Sequence, residues 1–309
     1  MGVNIILLEK NKTRKGQVTD MDMRVMNAFQ GGAIDQYAPP LCFELAGKQF
    51  CLIMDDGYDF DLHFIDGHTL TWSREGSEPK KEQYLCAKGD NTTYLVSYEL
   101  AEAKKRTNYT WVLDLENGLV TRVYAVIGKH PRFEYLITPA YEFGAIKTED
   151  AEVGVYPRHG FTDDLTGNFV QWNYGGMETV HVYYCSNFYR ITYPPERAAS
   201  RVFNEALAKL PSSDEPTAYI KIKEGLYLFS LTESNMEKIV GGATRFRSNT
   251  MAFLQNYKRM YLVGRTFGTT MAEGQATPLH KTFGAFGKIL QPTEEYLLQL
   301  MTDPNPFSV

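Results

Sequence analysis

From Leu45 onward, apolar and polar residues alternate in short runs broken by turn residues. Phe50, Leu52 and Met54 interleave with Gln49, Cys51 and Ile53, and Asp55-Asp56-Gly57 follows as a hairpin turn. Phe60, Leu62 and Phe64 interleave with Asp59, Asp61 and His63 up to the turn at Asp66-Gly67. Thr69 to Trp72 gives a third strand. Tyr84 to Cys86 and Tyr94 to Leu100 follow, divided by Gly89-Asp90-Asn91. Thr110 to Leu115, a turn at Glu116-Asn117-Gly118, and Val120 to Ile127 complete a meander. A period of two places successive side chains on opposite faces of a sheet. Short strands at this spacing predict an antiparallel sandwich or barrel.

The pattern then repeats. Leu45-Ala46-Gly47-Lys48-Gln49-Phe50 is echoed by Leu165-Thr166-Gly167-Asn168-Phe169-Val170. Tyr94-Leu95-Val96-Ser97-Tyr98 is echoed by Tyr227-Leu228-Phe229-Ser230-Leu231. The stretch Leu113 to Gly128 is echoed by Phe253 to Gly268. Echoes in one order predict duplication of a single β unit, with a period too long for a solenoid. The chain therefore divides into an arm (1–40), a first unit (41–148), a linker (149–164), a second unit (165–290) and a C-terminal helix with tail (291–309). Thr19 caps a short helix through Met21, Val25 and Phe29 in the arm. Pro194-Pro195 and Pro211 bracket an inserted helix over residues 196–210, and Thr293-Glu294 open the last one.

Composition sharpens this picture in three ways. The 309 residues suffice for two domains, and 43% hydrophobic content against 22% charged residues supports a buried core. A net charge of -5 argues against a nucleic-acid binder, which needs a basic face to meet phosphates. The 20 Tyr, 18 Phe and 3 Trp suit pleated surfaces and ring-walled pockets. Cys42, Cys51, Cys86 and Cys185 contain no CxxC pair, so the sequence predicts reduced, cytoplasmic thiols rather than a disulfide framework or zinc site. The apolar run Ile5-Ile6-Leu7-Leu8 is too short for a leader or a membrane span.

With the strands placed, the chain resembles a known family. Leu165-Thr166-Gly167-Asn168-Phe169-Val170-Gln171-Trp172-Asn173-Tyr174, His181-Val182-Tyr183-Tyr184 and Tyr227-Leu228-Phe229-Ser230-Leu231-Thr232-Glu233 look like the C-terminal half of the MoaF family. That family carries the label molybdenum cofactor biosynthesis protein F. Leu45-Ala46-Gly47-Lys48 with Asp55-Asp56-Gly57 looks like its N-terminal half. Both halves are similar, more distantly, to phenolic acid decarboxylases, which are single lipocalin-like (calycin) barrels. Lys258-Arg259-Met260 resembles a strand of theirs, and His130-Pro131 their closing segment. The resemblance implies an all-β chain of two tandem barrels with eight to ten strands each and ligand cavities. Periodicity alone gives antiparallel β units.

In those decarboxylases two tyrosines hold the substrate carboxylate, and a glutamate moves protons with help from an arginine, without metal or organic cofactor. Carried over by position, Trp172 and Tyr174 fall on the tyrosine pair, Glu233 on the glutamate and Tyr193 on the arginine. Arg190 stands three residues earlier on the opposite strand face. Loss of the arginine puts decarboxylation of a phenolic acid in doubt. Period two groups Trp172 with Tyr174, Phe229 with Leu231 and Glu233, and Tyr189 with Ile191 and Tyr193. If those faces turn inward, one carboxylate sits among rings, which suits acid/base chemistry. In the first unit Leu52 and Met54 replace the tyrosines, and Leu100 and Ser73 take the other two places. Glu99 and Arg74 stand one residue off, so that unit is expected to be structural or an accessory pocket.

Each residue also has a plainer role open to it. Glu233 is equally a rim carboxylate bonded to a neighbouring strand, whereas Trp172 and Tyr174 fit core rings better than catalysts, a pocket wall being both at once. Asp59, Asp61 and His63 lack a fourth metal ligand at diagnostic spacing and fit a solvated face. The expected function is a cofactor-free lyase, isomerase or cyclase acting on a small apolar or aromatic molecule. Glu233, Tyr174 and Tyr193 would be its catalytic groups. Trp172, Tyr189, Ile191, Phe229 and Leu231 would bind the ligand. A lipocalin-like carrier without chemistry is the alternative, and a role in molybdenum cofactor synthesis a second one. No nucleic acid or membrane is expected as a partner, and a homodimer is compatible with the chain.

Overall fold

A computed structural model describes residues 36–128, 137–147, 157–192, 212–233, 248–272, 275–291, 293–295 and 298. The alternation read from the sequence folds into a first meander. It runs through β1 (Gln49–Met54), β2 (Asp59–Phe64), β3 (Thr69–Arg74), β4 (Lys80–Lys88), β5 (Thr93–Glu99), β6 (Thr107–Asp114), β7 (Leu119–Ile127) and β8 (Ile137–Ile146). Each strand pairs antiparallel with the next, and β8 returns to β1 through Leu52 opposite Ile146, so the barrel is closed.

The second meander contains β10 (Phe169–Asn173), β11 (Glu178–Val182), β12 (Phe188–Thr192), β13 (Ser213–Lys223), β14 (Leu226–Thr232), β15 (Ser248–Asn256), β16 (Tyr261–Ala272) and β17 (Gln275–Ile289). It closes through the pairing of β10 with β17, and the consecutive strands β12 and β13 pair as well, so the ring is complete. A two-residue strand, β9 (Gly160–Phe161), adds to the far end of β13. The chain is thus two closed eight-stranded barrels in tandem, with strand n of the first corresponding to strand n + 9 of the second. Closure leaves neither barrel a long free edge, which is where unpaired backbone groups would otherwise cost free energy.

Period two decides what fills each lumen. In β2, Phe60, Leu62 and Phe64 are buried while Asp59, Asp61 and His63 are exposed, so the acidic stripe is a solvated face. Among the described residues, no His, Cys, Asp and Glu cluster could hold a metal ion. Leu52, Phe60, Trp72, Tyr84, Val96, Tyr98, Trp111 and Val120 form the first lumen core. Trp172, Tyr183, Tyr189, Tyr219, Phe229, Phe253 and Phe283 form the second.

A third apolar cluster lies between the barrels. Ala87, Leu95, Val112 and Val123 from the first pack on Ile220, Ile222, Leu226, Leu228, Leu254 and Val263 from the second. Each fully buried aliphatic side chain contributes about 1.5–3 kcal/mol. Strands at this seam are covered on both faces, so β6 and β14 are buried along their whole length. Polar links edge the seam. Lys223 Nζ meets Asp90, Asp114 and Glu116 at 3.0, 3.2 and 2.7 Å. Arg265 Nε donates to Thr110 Oγ1 at 2.8 Å, and His280 Nε2 lies 2.9 Å from Ser97 Oγ.

Several expectations shift. The strand expected at Tyr84 to Cys86 extends from Lys80 to Lys88. Lys258-Arg259-Met260 is not strand but the turn between β15 and β16. It ends on Met260 at φ +48°, in the left-handed place that Gly118 fills at φ +65° in the first barrel. Part of the expected linker is structured: His159 is buried, with Nδ1 2.8 Å from Thr121 Oγ1, and β9 follows it. At the C-terminus Glu294, Glu295 and Leu298 are helical. The arm helix, the inserted helix at 196–210, His130-Pro131 and Tyr193 lie outside the described residues. Among the described residues no helix is long and apolar enough to cross a membrane.

Candidate active site

The second lumen is organised around one hydroxyl. Tyr183, just past β11, is fully buried. Its Oη accepts from Trp172 Nε1 at 3.2 Å and from Gln255 Nε2 at 2.7 Å. It also lies 3.3 Å from Nδ1 of His181. The Tyr257 hydroxyl is a further neighbour of this oxygen, so His181 Nδ1 and Tyr257 Oη compete for the tyrosine's own proton. Burial holds the His181 imidazole down at about 3, so the ring is neutral at physiological pH.

Trp172 lies flat against the opposite strand. It pairs across to Gly287, where a Cβ would come within 2.4 Å of the indole. The seat has no room for a side chain, so glycine is required there.

Beside this hub opens a pocket lined by Tyr174, Met177, Thr179, His181, Tyr189, Ile191, Leu231, Glu233, Met251, Phe253 and Phe283. Its empty space is about 380 Å³ with the mouth included, of which about 20 Å³ is open to the centre of a water molecule. The space holds about one water as it stands. Rotation of Met177 and Met251, which are flexible and polarizable side chains, would enlarge it.

Of the residues expected here from the sequence, Tyr174, Tyr189, Ile191, Leu231 and Glu233 line this pocket. Trp172 and Phe229 stand behind it in the core: the Phe229 ring lies 5.0 Å from Tyr189 and 4.8 Å from Phe253. Glu233 is 7% exposed. Its Oε2 accepts from Asn249 Nδ2 at 3.1 Å, and its backbone N–H donates to the Asn249 carbonyl at 3.0 Å. The carboxylate is therefore held both by its strand partner and at the pocket wall. Burial, with Tyr183 and Glu233 nearby, pushes the Tyr174 phenol well above its ordinary value, so it stays protonated.

The remaining candidates lie elsewhere. Arg190 faces out of the barrel and pairs with Asp214 through Nε and Nη2 at 2.9 and 2.8 Å. Glu99 points to the seam, where Arg106 Nε donates to it at 2.9 Å and His280 Nδ1 lies 3.8 Å away. Arg74 covers the Tyr58 ring at 4.0 Å, on the face it shares with Trp72.

The first lumen holds a charge that the sequence left unremarked. Arg122 is 5% exposed and stacks over Phe60, Tyr109 and Trp111 at 4.3, 4.9 and 5.4 Å. It pairs with Glu142 directly opposite on β8. Rings and this ion pair fill the space that the second barrel leaves open.

Sequence reasoning also missed His181, Tyr183, Asn249 and Gln255. For the first two a signal existed: Thr179, His181 and Tyr183 share one face, the same period-two argument that grouped Tyr189 with Ile191.

Residues 24–129 match the family described as MoaF N-terminal domain, a stretch that spans β1 to β7. No curated protein matches the chain.

Proposed function

We propose, for a chain that carries a MoaF N-terminal domain over residues 24–129, that the second barrel binds a small aromatic or largely apolar molecule and moves a proton on it. One observation carries this: Glu233, His181 and Tyr174 line the same ring-walled pocket. A carboxylate opposite a neutral imidazole N–H supplies a base and a donor without a metal. Glu233 takes a proton from a carbon or oxygen acid of the bound molecule. The N–H of the neutral His181 imidazole and the phenol of Tyr174 donate to the oxygen on which negative charge collects. A neutral imidazole is the better partner there, because it offers a hydrogen bond without titrating away. The reaction class that fits is lyase, isomerase or cyclase chemistry, in which the proton returns to another atom of the same molecule or leaves with a fragment. The lipocalin-like and phenolic acid decarboxylase resemblance supports the same kind of pocket.

The test compares the native chain with Glu233→Gln on 4-hydroxycinnamate, 4-vinylphenol and neutral ring-substituted relatives, followed by absorbance. Loss of a general base lowers turnover by about 100-fold or more. Unchanged turnover in Glu233→Gln overturns the assignment. If the native chain quenches its tryptophan emission on binding these phenols but turns none over, the barrel is a carrier.

A further inference from the structure

Outside the pocket, two thiols meet where the segment entering β1 crosses β4. The Cys42 N–H donates to the Cys86 carbonyl at 2.9 Å. A backbone hydrogen bond of this kind sets two Cα atoms roughly 5–6 Å apart, within the span of a disulfide. The two thiols stand close enough for each to set the other's protonation, and the backbone N–H of Glu44 acts on Cys42 as well. Cys86 is 2% exposed inside the first core, whereas Cys42 packs on that core from its half-buried edge. Cys42 is therefore the more exposed residue of the two, and Cys86 is enclosed.

We propose that Cys42 and Cys86 are a peroxide-reactive dithiol, in which Cys42 is attacked first and Cys86 resolves it to a disulfide. The electrostatics agree with this division of labour. The neighbouring Cys86 thiol and the Glu44 backbone N–H hold the Cys42 thiol down at about 6, while Cys42 and burial push Cys86 up. Cys51 differs: burial and the nearby Asp61 carboxylate raise it. Cys185 differs too, donating its S–H to Asn187 Oδ1 at 3.5 Å and to the Phe188 carbonyl at 3.6 Å.

The steps balance. The Cys42 thiolate attacks the O–O bond of a hydroperoxide; an S–O bond forms, the O–O bond breaks, and water or an alcohol leaves after taking up a proton. The sulfur of Cys86 then attacks the sulfenic sulfur. The S–S bond forms, and hydroxide departs with the Cys86 proton as water. Two electrons pass from the thiol pair to the peroxide. The product ties the segment carrying Cys42, which follows the N-terminal arm, to β4.

The test uses the full reduced chain, equimolar hydrogen peroxide at neutral pH, iodoacetamide quenching and mass mapping without reductant. A Cys42–Cys86 cross-linked peptide pair lacking two hydrogens is expected, with Cys51 and Cys185 alkylated. Without peroxide, iodoacetamide should modify Cys42 about tenfold faster than Cys185. In Cys86→Ser the reaction should stop at a Cys42 sulfenic acid that dimedone traps. The proposal is overturned if Cys42 reacts no faster than Cys185, if the cross-link joins another pair, or if native chain and Cys86→Ser give the same dimedone adduct. Should Cys86→Ser fail to fold, Cys42→Ser decides. Its Cys86 must remain reduced under the same peroxide, and oxidation there overturns the proposal.

Discussion

Tyr183 shows how one buried atom can set the chemistry of others. Its oxygen collects Trp172 and Gln255 and lies against His181 Nδ1, so the imidazole shown to the pocket is held by a residue that does not line it. Tyr183→Phe keeps the ring and removes the oxygen. Two buried donors and one imidazole nitrogen then lose their partner, at about 1–3 kcal/mol each for any left unsatisfied. The urea midpoint should fall, and the Trp172 emission should change with the loss of its N–H bond. An unchanged midpoint would mean that water replaces the hydroxyl. At this scale the sequence was legible where burial follows parity: Tyr174, Tyr189, Ile191, Leu231 and Glu233 were placed by period two. It was silent on Arg122, because an arginine in a strand ordinarily faces solvent, and only the folded barrel brings Phe60, Tyr109 and Trp111 around it.

Strands were legible where one face is wet. β2 alternates cleanly between buried and exposed residues, whereas β14 is buried throughout, since its second face meets the other barrel. A run such as Tyr227 to Leu231 therefore identifies a strand without telling lumen from seam. The decarboxylase resemblance put Lys258-Arg259-Met260 in a strand, and nothing in its composition marks the turn that it is: Met260 occupies a left-handed position where glycine is usual. Glycine matters more at Gly264, which pairs with Phe253 across β15 and β16. A Cβ there would stand 2.2 Å from the Phe253 Cβ and 2.4 Å from the Ala252 carbonyl oxygen. Backbone cannot step aside cheaply, so Gly264→Ala should cost at least about 2 kcal/mol by urea denaturation. A variant as stable as the native chain would show that β15 and β16 can separate locally without loss.

Taken whole, the molecule buries neutral imidazoles. Burial holds His181 and His280 down at about 3 and lowers His159 as well. In the unfolded chain each takes its proton near pH 6.5. Between these values the unfolded state carries more protons, so stability rises with pH and falls as acid is added. The slope reaches about 1.4 kcal/mol per pH unit for each such histidine. Asp114, held at about 2 by His159, Asn117 and Lys223 against the cost of burial, adds a later loss between about pH 4 and 2. Urea midpoints measured from pH 7 to pH 5 should therefore decline, and His280→Gln should flatten the decline. A flat profile in the native chain would contradict the neutral assignment. The duplication itself was legible from repeated motifs, but the seam was not, because it depends on which outer faces meet.

That seam has the make-up of a protein–protein interface: an apolar centre of Leu95, Val112, Ile222 and Leu254, edged by Lys223 with its carboxylates and by Arg265. Residues 148–156 join its two sides in one chain. Two free domains would meet at whatever concentration the cell supplied. Tethered ones meet at an effective concentration on the order of millimolar. Each seam contact can therefore be individually weak, and substitutions there can accumulate in either barrel without parting them. The second barrel is left free to change its lumen while the first keeps its own filled.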